Sequence, residues 1–396
     1  MKSAPSIAHV TTVHFRGDTR IRIKEVGSLA RRFSLPVMLV VQDGKGPEGG
    51  EEGPRVIDSG PRPRQRLLRM TLGSWRMWRT LRRLRPTVVH FHDPELIFLG
   101  LAMKAGGTRV VYDVHEDVPR QILCKDWIPK PLRLPLAKAV EIVEELSTGV
   151  FDAVVPATPR IAQRFPSPRT VIVQNFPIPE ELQLAQAAPY LERPPSFAYV
   201  GDISESRAAL GMVKALGLLA PQSQARLELA GGFSSSDLEE EVRSLPGWAR
   251  VNYHGWATRP QVAALLGNVR AGLVLLHPEP NYVEAYPNKM FEYMAAGLPV
   301  IASDFPLWRE IVAPPVNAGL LVDPLDPRAI AQAMEWMLEH PEEAEAMGRR
   351  GRRAVEQRFN WQAEEEKLVK LYQRLLSEGT FRGAAGEQHE PYAGTK

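Results

Sequence analysis

A chain of 396 residues, 44% apolar and 24% charged, is long enough for two domains and is neither disordered nor fibrous in composition. Its one cysteine, Cys124, excludes an internal disulfide, no Cys/His cluster has zinc spacing, and no apolar run approaches the roughly 18 residues that span a bilayer. The net charge of +3 is modest, but the segment 62–85 holds nine arginines and no acidic residue.

Residues 1–13 lack the basic segment, apolar core and cleavage site of a secretory leader, so a cytoplasmic protein is expected. Short Val/Ile/Leu-rich runs then alternate with helical patterns, as in a parallel sheet covered on both faces. In the first half the strands are expected at 7–13, 36–41, 87–91, 109–112, 153–155 and 171–173. Helical patterns lie at 21–33, 66–84, 95–104 and 132–147. Five prolines within 175–195 interrupt the pattern, which places a linker there. A second alternating unit follows, with strands at 197–200, 227–230, 251–254, 273–276, 300–303 and 320–322. Its helices fall near 209–219, 236–244, 260–266, 287–296 and 327–338. Two amphipathic helices, 341–358 and 361–376, precede a polar tail, 377–396, expected to be disordered. The reading is α/β, with two Rossmann-like doubly wound domains at 1–180 and 190–358 facing each other across a cleft.

In open parallel sheets ligands meet the loops after the strands. After the strand ending near Leu276 runs His-Pro-Glu-Pro-Asn-Tyr-Val-Glu284-Ala-Tyr-Pro-Asn288-Lys289-Met-Phe-Glu292, followed by Tyr-Met-Ala-Ala-Gly-Leu-Pro-Val. Pro287 suits a helix start, which puts Glu284 in the loop and Glu292 one to two turns on. The first N–H groups, at Asn288 and Lys289, with the lysine ammonium, make a site for a diphosphate. Carboxylates beside it can accept from the diols of a ribose or sugar. After the first strand of the second half comes Tyr-Val-Gly201-Asp202-Ile-Ser-Glu-Ser-Arg207, and His254-Gly255-Trp256 follows another strand. In the first half, His14-Phe-Arg16-Gly-Asp18-Thr-Arg20, His90-Phe-His92-Asp93-Pro-Glu95 and Asp113-Val-His115-Glu-Asp117 also follow strands.

The segment from Glu284 to Glu292 and its apolar continuation resembles the Glu-x7-Glu signature of the retaining glycosyltransferases of family 4, with the GT-B fold. The resemblance runs from about Ile7 to Leu376 and implies that Glu284 contacts the transferred sugar, Glu292 the ribose and His115 the sugar. It also implies that the last helix crosses back to the first domain. Arg207 matches one of the two cations that such enzymes place on the diphosphate; Asp202 stands where the other is usual. Arg16, Arg20 and Lys289 are candidates for the missing charge, and Arg20 is preferred. Gly201 is expected to bind the donor, and Gly231, Gly232 and Gly255 to border its base, although these three read equally as turn glycines. The His-Asp-Pro-Glu-Leu stretch is similar to bacterial polysaccharide-assembly members, and His92 or Asp93 would shape the acceptor side.

The expectation is a hexosyltransferase that uses a nucleotide-diphosphate sugar and a glycan or lipid-linked acceptor, with retention, in cell-surface polysaccharide assembly. No Asp-x-Asp triplet occurs, so neither a metal nor a cofactor is expected. Leu68, Leu72, Trp75, Trp78 and Leu81 form an apolar stripe edged by arginines. It reads equally as a face packed on the sheet or as one lying on an anionic bilayer at the inner face of the membrane. Nucleic acid is not expected as a partner, since no recognition motif accompanies the arginines. Alternatives are a sugar-nucleotide epimerase of the same fold and a non-catalytic nucleotide-binding subunit. A dinucleotide oxidoreductase is disfavoured because no Gly-x-Gly-x-x-Gly follows either first strand.

Overall fold

The computed structural model describes residues 4–49, 54–125, 128–182 and 188–384. The chain divides into two compact units, one of residues 1–174 and 364–396 and one of residues 175–363. Each is built on a six-stranded sheet whose neighbouring strands are all parallel.

In the first unit the strands are β1 (Ile7–Val10), β2 (Val37–Val41), β3 (Arg55–Asp58), β4 (Val88–Phe91), β5 (Arg109–Val114) and β6 (Ala153–Pro156), in the order β3-β2-β1-β4-β5-β6. In the second they are β7 (Ser196–Val200), β8 (Arg226–Ala230), β9 (Val251–Gly255), β10 (Ala271–Val274), β11 (Val300–Ser303) and β12 (Gly319–Val322), in the order β12-β11-β10-β7-β8-β9. Both are doubly wound sheets of one topology, and the strand order reverses between β1 and β4 and between β7 and β10. The central strands are apolar on both faces because helices cover both; β1, β2, β4, β10 and β11 are buried throughout.

Three features depart from the sequence reading. Strand β3 pairs with β2 at the sheet edge, but its sequence Arg-Val-Ile-Asp is too short and polar to announce a strand. Residues 171–173 form no strand; Val171 and Val173 donate to Val154 and Pro156 along β6. The proline-rich stretch expected as a linker is largely packed into the second unit. Phe176 lies 4.8 Å from Phe291 and 5.4 Å from Phe359 between ring centroids, and the Tyr190 hydroxyl donates to the Arg270 carbonyl at 2.7 Å.

The final helix, Trp361–Ala384, runs into the segment expected to be disordered; residues 385–396 of that tail lie outside the described residues. From Glu364 onward this helix belongs to the first unit. Tyr372 is fully buried there, and its hydroxyl meets His90 Nδ1 at 2.8 Å and His9 Nε2 at 3.2 Å.

One glycine decides where the helix Asn288–Ala295 can lie. A Cβ at Gly272 in β10 would stand 2.1 Å from the Tyr293 ring of that helix, and the Tyr293 hydroxyl accepts from the Val200 N–H at 2.9 Å. The helix therefore rests on bare backbone and is pinned to the end of β7. Gly272→Ala is expected to displace Tyr293 and to cost about 1–3 kcal/mol by overpacking. A denaturant midpoint equal to wild type would contradict this.

Candidate functional site

At the switch point of the second unit, the loops after β7 and β10 are joined. His277 N–H donates to the Ser206 carbonyl at 2.8 Å, and the Ser206 and Tyr282 hydroxyls stand 3.4 Å apart. Gly201, just beyond β7, has φ +127°, a region that side chains rarely enter. A Cβ there would lie 3.3 Å from Lys289 Nζ and 3.7 Å from Arg207 Nη1. Two cations thus converge on one bare stretch of backbone.

Lys289 is the unusual member. Its Nζ is buried with no hydrogen-bond partner and sits 3.6 Å from the centroid of the Tyr199 ring. Burial first, and then the Arg207 charge, hold its pKa well below the ordinary lysine value. Arg207 has an Asp202 carboxylate oxygen at 3.5 Å, and that aspartate is largely exposed. No side chain caps the first turn of Asn288–Ala295, so the N–H groups of Asn288 and Lys289 add the positive end of a helix.

The two expected carboxylates flank this anion-seeking corner from the same segment. Glu284 closes the short helix Pro280–Val283 with φ −108° and ψ 11°, and the next carbonyl, Ala285, accepts from the buried Trp308 indole at 2.8 Å. Glu292 accepts from Arg259 Nη1 at 2.7 Å, and the other arm of Arg259 reaches Glu181 at 2.8 Å. Gly255 lies at the end of the edge strand β9 with φ +62°, and its carbonyl accepts from Gly231 N–H. It is a turn glycine, linked to the platform through Gly231, where a Cβ would come within 1.9 Å of the Gly201 carbonyl.

The preference for Arg20 as the second phosphate cation is corrected. Arg20 is buried in the first unit, bound to Asp113 through Nη2 at 2.8 Å and Nε at 3.2 Å, to Glu25 at 3.1 Å and to the Val173 carbonyl at 3.0 Å. Arg16 is likewise engaged by Asp43 and Glu48. A loop arginine after a strand reads as a ligand-binding cation only until its internal partners are known, and Asp113, Asp43 and Glu48 lie well beyond its own element. Lys289 is the candidate whose side-chain nitrogen keeps no internal acceptor.

At the switch point of the first unit, Asp93 does not face outward. It is buried, accepting from the Thr11 and Thr12 hydroxyls and the Thr12 and Val13 N–H groups, and so holds the loop after β1. Glu95 receives a bidentate bond from Arg69 at 2.6 and 2.7 Å. His115, 13% exposed, meets Asp113 through Nε2 at 2.5 Å. Behind it lie His92, His9 and His90, all buried, a cluster whose depth the sequence does not reveal. Glu25, His90, His92 and Asp113 bring ligand-type atoms within 4.8 Å of one another. Of these, Asp113 and Glu25 are already paired with the Arg20 guanidinium.

The helix Ser74–Leu84 buries Met77 and Leu81, while Leu68, Leu72, Trp75 and Trp78 of the stripe are exposed. Arg79 stacks over Trp75 and Arg82 over Trp78, at 5.7 and 5.6 Å from the ring centroids. The packed-face reading therefore holds for Leu81 alone. No helix among the described residues is long and apolar enough to cross a membrane.

Fold and site together define the class: a two-unit, doubly wound α/β protein of the GT-B type with Lys289, Arg207 and a helix start converging in its second unit. A glycosyl transferase 4-like family model matches residues 20–175 and a glycosyl transferases group 1 model matches residues 184–354. Together they place the chain among the glycosyltransferases. Among curated relatives, the D-rhamnosyltransferase WbpZ of Pseudomonas aeruginosa is 25% identical over 69% of this chain and 69% of its own length. The MMP α-(1→4)-mannosyltransferase of Mycolicibacterium hassiacum is 27% identical, but over 30% of this chain and only 27% of its own length. Sucrose-phosphate synthase of Thermosynechococcus elongatus shares the fold with TM-score 0.75 and 19% identity, covering 95% of this chain and 100% of that one. Anabaena HepE in complex with UDP-glucose does so with TM-score 0.69 and 14% identity, covering 93% and 99%.

The buried histidines make the first unit acid-sensitive. Burial pushes His9 and His90 well below 6.5 and His92 to about 4. As pH falls through 6.5 the unfolded chain binds protons that the folded unit refuses, so the stability present above 6.5 is lost progressively toward pH 4. Glu25, raised by burial and then by Asp113, acts the other way, as do Glu144, raised by burial, and His14, raised against its burial by the Asp18 hydrogen bond; the three enclosed histidines must outweigh them for the unit to lose stability in acid. Each group is worth about 1.4 kcal/mol per pH unit in the window where only one state is protonated. The unfolding midpoint should drop between pH 7.5 and 5; a flat or rising midpoint would contradict this balance.

Proposed function

We propose that this protein is a retaining, metal-independent hexosyltransferase that moves a sugar from a nucleotide-diphosphate sugar to a glycan or lipid-linked acceptor in cell-surface polysaccharide assembly. The observation that carries the reading is the buried Lys289 nitrogen without a hydrogen-bond partner beside Arg207, Gly201 and an uncapped helix start, a site where a bound anion would favour the charged form. An ammonium out of water with no acceptor is costly, and a diphosphate supplies several acceptors at once. Lys289 and Arg207 would stabilise the charge that builds on the leaving diphosphate, work that a divalent cation does in other transferases.

In this reading Glu292 accepts from the ribose diol, exchanging its Arg259 partner for it, while Glu284 positions the sugar and His115 bonds one of its hydroxyls. Acceptor attack occurs on the face from which the diphosphate leaves, and the diphosphate takes the acceptor proton. The named activities of the rhamnosyl- and mannosyltransferase relatives and the UDP-glucose held by HepE favour a nucleotide sugar as donor. The exposed Trp75, Trp78 and Leu67 amid arginines suit an anionic bilayer, which would bring the protein to the inner face of the membrane and a lipid-linked acceptor within reach.

Glu284→Ala and Glu292→Ala should each cost at least about 1.5 kcal/mol in kcat/KM, since each deletes charge-assisted bonds. Transfer at wild-type efficiency by both variants would remove the assignment, and loss of activity in EDTA would remove metal independence. Lys289→Met separates binding from folding: the ligand-free variant should melt higher than wild type. With a nucleotide sugar at 100 times its dissociation constant, wild type should gain about 2.7 kcal/mol and the variant far less. An equal gain in both proteins would count against the site. Replacing Trp75 and Trp78 by Ser should abolish flotation with anionic liposomes; unchanged flotation would remove the membrane contact.

A further inference from the structure

The first unit contains a line of polar side chains that its fold alone does not require. It runs from His115 at the end of β5 through Asp113, His92 after β4, His9 in β1 and Tyr372 of the final helix to His90 in β4. The contacts are His115 Nε2 to Asp113 Oδ2 at 2.5 Å, His92 Nδ1 to the same oxygen at 2.9 Å, and His9 Nδ1 to His92 Nε2 at 3.0 Å. Tyr372 then bridges His9 Nε2 at 3.2 Å and His90 Nδ1 at 2.8 Å. All but His115 are fully enclosed.

His92 Nδ1 and His115 Nε2 also stand 3.2 Å apart, and because both meet the Asp113 anion more closely, at 2.9 and 2.5 Å, both donate to it, which leaves one arrangement of protons. Asp113, held by Arg20, is an anion and only accepts. His92 must therefore carry its proton on Nδ1, which leaves Nε2 as a lone pair. That lone pair needs a donor, so His9 is protonated on Nδ1 and bare on Nε2. The Tyr372 hydroxyl donates to His9 Nε2 and accepts from His90 Nδ1. His90 Nε2 is left as a lone pair, and it is among the buried atoms without a partner. The reverse direction would set a His92 lone pair against a carboxylate. Burial keeps these rings neutral, and a neutral Glu25 leaves one anion against one guanidinium.

We infer that Asp113 is a positioning residue: through this single anion it sets the tautomers of four histidines and makes His115 present Nδ1 as an acceptor for a substrate hydroxyl. Among the described residues Nδ1 of His115 makes no hydrogen bond, and it is not one of the enclosed polar atoms. With its Nε2–H spent on Asp113, the Nδ1-bare tautomer of His115 has only a lone pair to offer there. The tautomer chain stands on the structure; the role of Nδ1 rests on the glycosyltransferase reading.

The test is histidine ring 15N spectroscopy on the full chain at pH 7, with Asp113→Asn and Tyr372→Phe. In wild type His9, His90 and His92 should be Nδ1–H tautomers and His115 bound through Nε2–H. An Nε2–H tautomer or an imidazolium at His9 or His92 overturns the chain. Asn offers one acceptor and one donor, so Asp113→Asn should reverse at least one ring and lower kcat at least about tenfold with donor KM within about threefold. Wild-type kcat with altered tautomers overturns the positioning role. Should that variant fail to fold, Tyr372→Phe decides: it should shift His9 and His90 while His115 keeps its Nε2–H. A shift at His115, or none at His9, overturns the proposal. Correct tautomers in a protein that transfers no sugar would instead sink the functional reading.

Discussion

A charge taken out of water must find a partner, and the two units resolve that demand in opposite ways. In the first, the Arg20 guanidinium and the Asp113 carboxylate meet in the interior, each satisfying the other, and the elements around them are organised by that pair. The segment Thr19–Val26 brings the arginine, β5 the carboxylate, β4 and β1 the histidines, and the last helix Tyr372. Removing either partner would leave the other charge buried without its countercharge, which is far more costly than never having buried the pair. In the second unit the Lys289 ammonium is buried without an internal acceptor. One unit closes its buried charge internally, and the other leaves a buried nitrogen without a partner.

The open charge depends on close approach between backbones. Gly272 lets the Asn288–Ala295 helix lie against β10, Tyr293 pins it to the end of β7, and the bare Cα of Gly201 leaves room where Lys289 and Arg207 converge. Helix start, ammonium and guanidinium then share a corner that the tie between Ser206 and His277 keeps rigid. Preorganisation of this kind lets electrostatic stabilisation act without rearranging dipoles during reaction. The exposed Asp202 stands beside Arg207, so the guanidinium keeps a local anionic neighbour until a stronger one binds.

The first unit adds a surface of a different character. Its helix Ser74–Leu84 spends Met77 and Leu81 on the core and leaves two tryptophans outside, each under an arginine. A helix needs only a narrow apolar stripe to pack on a sheet, so the second apolar face is surplus to folding. Arg69, by contrast, is drawn onto Glu95 and anchors the tract to the loop after β4. One run of arginines thus holds both structural and surface members.

Much was legible in the order of residues alone. Periodicity found eleven of the twelve strands, because most lie between helix layers and are predominantly apolar; β3, at an edge, short and half polar, carried no such mark. The segment from Glu284 to Glu292 could be placed because a strand, a proline-started helix and two carboxylates follow one another locally. What sequence could not decide were facts of long-range pairing. That Arg20 is neutralised by Asp113, that Asp93 turns inward to hold the β1 loop, that Lys289 is the cation left open and that the stripe at 68–78 faces outward all depend on residues 70 to 90 positions away or more, or on which face meets the sheet. Local order fixes which element a residue occupies; only the closed fold determines which charges are left without a partner.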